Sequence, residues 1–324
     1  MQPIVSVICL TYNQEKYVGD CFESFLMQET SFPFEVLVYD DASTDKTPSI
    51  IREYTAKYPS IFKPTLYQKN NYQQGLGYVG FYTAIKEAKG KYIAYCEGDD
   101  YWIDPHKLQK QFDFLESHLE YEVCAHETMI RQEGRINSEE ILFSHTDVNI
   151  FLDRCNRTNY GFEDALTGNI FHISSLMYRS IDLQLPKWIH EFSAGDMILF
   201  MILAEKGKIY VLPDVMSVYR QHSGSLTTSG REYQTAIPFF QLSVSVLLRM
   251  NEYWNRKYEY LISPIVARYY VRIMFCYLSK SYRNYAMAKE MAKKAFLLNK
   301  YVFVKYFVIE SIAKLKKHLN RGVK

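Results

Sequence analysis

A chain of 324 residues with 48% hydrophobic and 23% charged side chains can hold one large domain with an appendage or two ordinary domains, and is too apolar to be disordered. Its formal net charge of +2 excludes an overall nucleic-acid binder, which would concentrate Lys and Arg to neutralise phosphates. The six cysteines, at 9, 21, 96, 124, 155 and 276, include no C-x-x-C pair and mostly lie in apolar runs, so they read as reduced core residues of a cytoplasmic protein.

Residues 4–10 (IVSVICL) form a β-branched run too short for a helix, which predicts a buried strand. No basic leader precedes it, so no secretory signal is expected. From 15 to 27 the apolar residues Val18, Cys21, Phe22, Phe25 and Leu26 recur at helical spacing, and residues 34–39 (FEVLVY) are again strand-like. The cluster Asp40-Asp41-Ala42-Ser43-Thr44-Asp45 follows. Thr47 then stands as a hydroxyl N-cap before Pro48, opening a helix to about residue 57. Further on, the pattern predicts a strand at 62–67, a helix at 78–88 and a strand at 92–95. That last strand delivers Glu97-Gly98-Asp99-Asp100, and a helix at 105–117 comes next.

Residues 129–160 read as a variable excursion. A strand is expected at 168–178, a helix at 196–204 and a strand at 208–212 leading to Tyr219-Arg220-Gln221-His222. Beyond residue 230 the composition turns to long helices, which places a boundary near 228 and divides the chain into 1–228 and 229–324. The apolar stretches at 236–248 and 261–278 are broken by Pro238, Pro264, Arg268 and Arg272, so no transmembrane helix is expected. The last helix, 301–319, ends in Lys314, Lys316, Lys317 and Arg321. It fits an anionic membrane surface or simple packing on the domain equally well.

Alternating strands and helices at this spacing imply a mostly parallel sheet with helices on both faces, whose ligands bind beyond the carboxyl ends of the strands. The segments 11–14, 40–45 and 97–100 converge there. Adjacent carboxylates at a strand end repel one another unless a cation or hydrogen-bond donors compensate, and such oxygen-rich sites suit Mg²⁺ or Mn²⁺. An isolated acidic turn would be unremarkable; two at one sheet end point to a ligand.

In order, Thr11-Tyr12-Asn13, the 40–47 segment, Glu97-Gly98-Asp99-Asp100, Gly195-Asp196 and Tyr219-Arg220-x-His222 resemble the inverting family 2 glycosyltransferases of the GT-A fold, over about the first 225 residues. The resemblance implies a Rossmann-like GT-A domain with a C-terminal helical extension, and transfer of a sugar from a nucleotide diphosphate, most often uridine diphosphate, to an acceptor hydroxyl in glycan or cell-surface polysaccharide synthesis. It implies that Thr11, Tyr12 and Asn13 line the nucleotide pocket and that Asp40 and Asp41 contact ribose and base. Glu97, Gly98 and Asp99 would form a D-x-D-like diphosphate motif with Asp99 the direct metal ligand, although Glu97 stands where an Asp is usual. Asp196 would be the general base, against a plain reading as a helix N-cap. His222 would contact metal or diphosphate and Arg220 the phosphate oxygens, and Ser174 and Ser175 would border the donor sugar. Trp102 and Tyr12 remain divided between sugar stacking and packing.

The partners implied are a nucleotide-sugar donor and a saccharide or lipid-linked saccharide acceptor, with no nucleic acid. The helical region is left to acceptor positioning, homo-oligomer formation or peripheral membrane contact. Two alternatives stand beside this reading: a catalytically silent nucleotide-sugar-binding scaffold on the same fold, and a sugar nucleotidylyltransferase. Residues 11–16 (TYNQEK) lack the glycine-rich loop expected of the latter.

Overall fold

The opening apolar run becomes β1 (Val5–Thr11), the centre of the first βαβ unit with α1 (Val18–Leu26) and β2 (Phe34–Asp40). There follow α2 (Thr47–Lys57), β3 (Phe62–Leu66), α3 (Val79–Glu87), β4 (Tyr92–Tyr95), β5 (Tyr101–Trp102), α4 (Lys107–Ser117) and β6 (Tyr121–Gln132). Then come β7 (Ile141–Leu142), β8 (Asn159–Tyr160), α5 (Phe162–Ala165), β9 (Met177–Arg179), α6 (Gly195–Lys206) and β10 (Lys208–Gln221). Helices α7 (Tyr233–Tyr253), α8 (Glu259–Tyr277), α9 (Tyr285–Leu298) and α10 (Lys300–Arg321) complete the chain. This computed structural model describes all residues except 1, 77–78, 134–140, 146–156, 169, 181–182, 184, 193–194, 223–232, 280–281 and 322–324, and excludes the side chains of 233–236 and 313–321. Cys155, the start of the helix expected at 78, the middle of the 129–160 excursion and the basic side chains from Lys314 to Arg321 therefore lie outside the described residues.

The sheet runs β3-β2-β1-β4-β9-β6-β10-β5, with β7 on β6 and β8 on β10. Its first four strands are parallel, as the βαβ pattern demands, and bring the carboxyl ends of β1, β2 and β4 to one edge. The other half is mixed: β9 runs antiparallel to both β4 and β6, while β6 and β10 are parallel. One core lies between β1, β2, β4 and the helices α1, α2 and α4, built from Val7, Cys9, Phe22, Phe25, Val38 and Leu108 among others. Cys9, Cys21, Cys96, Cys124 and Cys276 are buried in the core.

Three expectations need correction. Residues 173–175 are a 3-10 turn, and only Met177–Arg179 pair as a strand. The strand expected at 208–212 continues to Gln221, because bulges between Leu212 and Ser217 absorb Pro213 and let it pair with β6 along its length, so Arg220 stands on a strand. Thr47 is not an N-cap: α2 has no side-chain cap, and the Thr47 hydroxyl instead accepts the N–H of Gln14 at 2.8 Å.

The chain divides into two compact units, Met1–Ser223 and Gly224–Lys324. The second is helical, with its own core of Ile237, Val271, Met274, Ala288, Met291 and Ala295. Pro238 and Pro264 are accommodated inside α7 and α8. Among the described residues, no helix is long and apolar enough to cross a membrane.

Candidate active site at the strand ends

The loop after β1 and the loop after β2 are stitched together by reciprocal hydrogen bonds. The N–H of Asn13 donates to Ser43 Oγ at 2.8 Å, and Asn13 Oδ1 accepts the N–H of Thr44 at 2.8 Å. The N–H of Glu15 donates to Asp45 Oδ2 at 3.0 Å, while Glu15 accepts the N–H of Lys46 at 2.9 Å. Asn13 and Ala42 both take left-handed backbone conformations, with φ of 52° and 59°. Asn tolerates that region and Ala does not, so the stitching holds Ala42 against a local preference worth about 1 kcal/mol.

Asp40 is buried and organises this turn: it accepts from Thr11 Oγ at 3.0 Å, from the Ser43 N–H at 2.9 Å and from Ser43 Oγ. Its oxygens are thus directed into the protein. Asp41 accepts from the N–H and side-chain amide of Asn71, both at 2.8 Å, and from the N–H of Tyr72 at 3.0 Å. It ties the loop after β3 to the same edge. Thr11 is buried, whereas the Tyr12 ring is 42% exposed at the end of β1.

The third loop is seated on the first. Gly98 donates its N–H to Leu10 O at 3.0 Å, and a Cβ there would lie 2.5 Å from Gln14 Oε1 and 2.6 Å from Thr11 Cγ2. Any other residue fits only if the Gln14 and Thr11 side chains give way. Carboxylate oxygens of Glu97, Asp99 and Asp100 lie within 4.8 Å of one another. Partial burial, then the charges of Asp99 and Asp196, push the Glu97 carboxyl up to about 8. Asp196, the second residue of α6, adds its charge to that shift, and its Oδ1 accepts the N–H of the adjoining Met197 at 2.8 Å, which is not the N-cap bond to a residue two or three positions on.

Asp100 differs from its neighbours. It is fully buried, accepts the N–H of Arg220 at 3.0 Å on one oxygen and the Ser174 hydroxyl on the other, and burial drives its pKa up. Its oxygens are spent inside the protein, which leaves Glu97, Asp99 and His222 as donors for a cation. His222 Nε2 lies 3.1 Å from Asp99 Oδ2, its ring packed on Tyr17 at 4.4 Å. Two carboxylates and an imidazole suit a hard divalent ion that completes its shell with phosphate oxygens. His172, 3.7 Å from Asp100, has its pKa lowered to about 3 by burial, so it stays neutral and forms no ion pair there.

The Arg220 side chain crosses the ring of Tyr101 at 4.3 Å to an ion pair with Asp20, and Nη1 has no hydrogen-bond partner. It forms one wall of a cavity of about 500 Å³ bounded by α1, Tyr101 and Arg131. Ser174 and Ser175 are completely buried and do not border an open pocket: the Ser174 hydroxyl supports Asp100, and the Ser175 hydroxyl donates to His172 O at 2.7 Å. Trp102 is likewise core, its indole N–H donating to Ser174 O at 2.9 Å. Sequence reasoning missed strand β6 and the tie of Asp100 to the backbone of Arg220, and nothing local in the sequence signals a bond across 120 residues.

The family model for glycosyl transferase family 2 matches residues 6–184, from β1 through the acidic loops. The chain belongs to glycosyl transferase family 2. A Mycobacterium tuberculosis relative, the uncharacterized protein Rv1520, is 38% identical over 224 residues, covering 68% of this chain and 59% of that protein. The chain thus spans about three-fifths of the length of such curated relatives. Among solved structures, S. aureus TarS 1-349 in complex with UDP-GlcNAc superposes with a TM-score of 0.55 at 19% identity, over 98% of this chain and 92% of that one. The Pyrobaculum calidifontis mannosyltransferase PcManGT, in complex with GDP-Man and Mn2+, gives 0.53 at 17% identity, over 92% and 87%. These likenesses establish the GT-A fold for this family member.

Proposed function

We propose that this family 2 member transfers a sugar, with inversion, from a nucleotide diphosphate donor to an acceptor hydroxyl. The observation that carries the proposal is the carboxylate cluster around Glu97 and Asp99, with His222 3.1 Å from Asp99, at the edge where β1, β2 and β4 end. Tyr12, Asn13 and Asp41 would face the nucleoside, with Thr11 and Asp40 setting the loop's shape. Asp99 and His222, with Glu97, would hold Mn²⁺ or Mg²⁺, which when bound neutralises the diphosphate as it departs. Asp196 would take the proton from the acceptor hydroxyl as that oxygen attacks the anomeric carbon from the face opposite the leaving group. Arg220 would add positive charge behind the phosphate subsite.

A uridine nucleotide is the favoured donor, in keeping with the ligand of TarS, and the acceptor a saccharide or lipid-linked saccharide of a surface glycan, elongated on the cytoplasmic side. The test is a panel of nucleotide sugars with and without Mn²⁺, read by calorimetry and by slow donor hydrolysis. Metal-dependent binding with hydrolysis of one donor supports the proposal. Binding without turnover, with or without acceptors, leaves a scaffold, and absence of binding to any donor overturns the reading.

A further inference from the structure

The near-neutral total charge conceals a segregation between the two units. Residues 1–223 contain 20 Lys and Arg against 31 Asp and Glu, whereas residues 224–324 contain 18 Lys and Arg against 5 Asp and Glu. The helical unit therefore has a formal charge of +13 within 101 residues. Charge asymmetry of that size between two halves is a signature of contact with an anionic surface.

Helix α10 adds an apolar component. Val302, Phe303 and Tyr306 pack it onto its own unit, and Arg272 on α8 pairs with Glu310 at 3.2 Å, fixing its rotation. On the opposite side, Tyr301, Val304, Val308 and Ile312 recur at i, i+3, i+7 and i+11 and are 75%, 51%, 49% and 47% exposed. These spacings define one stripe on the outward face of a helix. Glu310 is the one acid of α10 and is turned inward, so the outward face carries no negative charge among the described residues. Lys300 and Lys305 flank the stripe on its two sides, and the sequence continues through Lys314, Lys316, Lys317 and Arg321.

We propose that the helical unit docks on an anionic lipid bilayer with α10 lying in the interface, its stripe in the acyl boundary and its lysines at the headgroups. Charge complementarity selects this occupant. A second copy paired through the same face would bring another +13 against the first, and a nucleic acid would satisfy the lysines but leave the Tyr301–Ile312 stripe in water.

The test uses the full chain and sedimentation with vesicles of phosphatidylcholine alone or with about one-third phosphatidylglycerol. Co-sedimentation is expected only with the anionic vesicles, and should fall away as salt shortens the screening length to a few ångströms. Val304→Asp with Val308→Asp should weaken it by roughly tenfold or more, and Val304→Ser with Val308→Ser, milder for folding, by a smaller factor in the same direction. Lys300→Gln with Lys305→Gln should weaken it while leaving the helical circular dichroism unchanged. Three results would overturn the proposal: no binding to anionic vesicles, undiminished binding by both valine variants, or wild-type self-association that the valine variants abolish. Equal competition for the protein by a short DNA duplex would transfer the surface to nucleic acid.

Discussion

Asp100 is the carboxylate whose role the geometry separates most sharply from that of its neighbours, and two substitutions isolate it. Asp100→Ala leaves the N–H of Arg220 and the hydroxyl of Ser174 without acceptors in a fully buried site. Each orphaned buried donor costs about 1–3 kcal/mol, so a loss of roughly 2–6 kcal/mol is expected, read as a lower midpoint in urea unfolding. Asp100→Asn keeps an oxygen for Arg220 and turns an amide toward Ser174, whose hydroxyl accepts as readily as it donates. It also removes a buried charge from beside Glu97 and Asp99. Its stability without metal should stay within about 1 kcal/mol of the parent or rise, and Mn²⁺ affinity, measured by calorimetry, should fall by less than about tenfold. A collapse of Mn²⁺ binding in Asp100→Asn to the level of Asp99→Ala would refute the assignment and make Asp100 a ligand.

The other expectations are more direct. Asp196→Asn should retain donor binding and lose on the order of 10²–10⁴-fold in turnover, whereas full turnover would remove Asp196 as the base. Asp99→Ala should abolish Mn²⁺-dependent donor binding in the same titration, and retained tight binding would exclude it as a ligand. Gly98→Ala forces the side chains of both Thr11 and Gln14 to move and should cost about 1–3 kcal/mol with weakened nucleotide binding, checked by thermal melting and a nucleotide titration. The raised Glu97 pKa favours its protonated form in the native state, so metal-free stability should be fullest below 4.5, decline as pH rises and level off above about 8. Glu97→Gln should flatten that decline in melts taken with a chelator, and an unchanged slope would assign it to another group.

The first hundred residues were largely legible because their signals are local. A short β-branched run bounded by polar residues specifies β1, and the carboxylates of the 40–45 and 97–100 loops stand next to one another in the chain. Legibility failed where position depends on distant pairing. Strand β10 crosses Pro213 through bulges that only its partner β6 can stabilise, and β6 itself mixes His126, Glu127 and Thr128 with apolar residues. Of those, His126 and Thr128 are buried, which period-2 reasoning on polarity could not anticipate. The Thr47 hydroxyl looked like a cap because capping is the local use of such a residue, and a loop 33 positions away claimed it instead. The charge segregation could have been read by counting each half of the chain separately.

The reciprocal bonds between the loops after β1 and β2 bear on how donor preference could be altered. Under the proposed function, a binding wall that its own hydrogen bonds already hold in shape would need little ordering when a nucleotide arrives, so these two loops would act as a fixed socket. Discrimination among sugars would then fall, under the proposed function, to the segment between β6 and α6, outside these two loops. Exchanging that segment between family members, with the first hundred residues left intact, is the route by which a new donor could be introduced without rebuilding the nucleoside side.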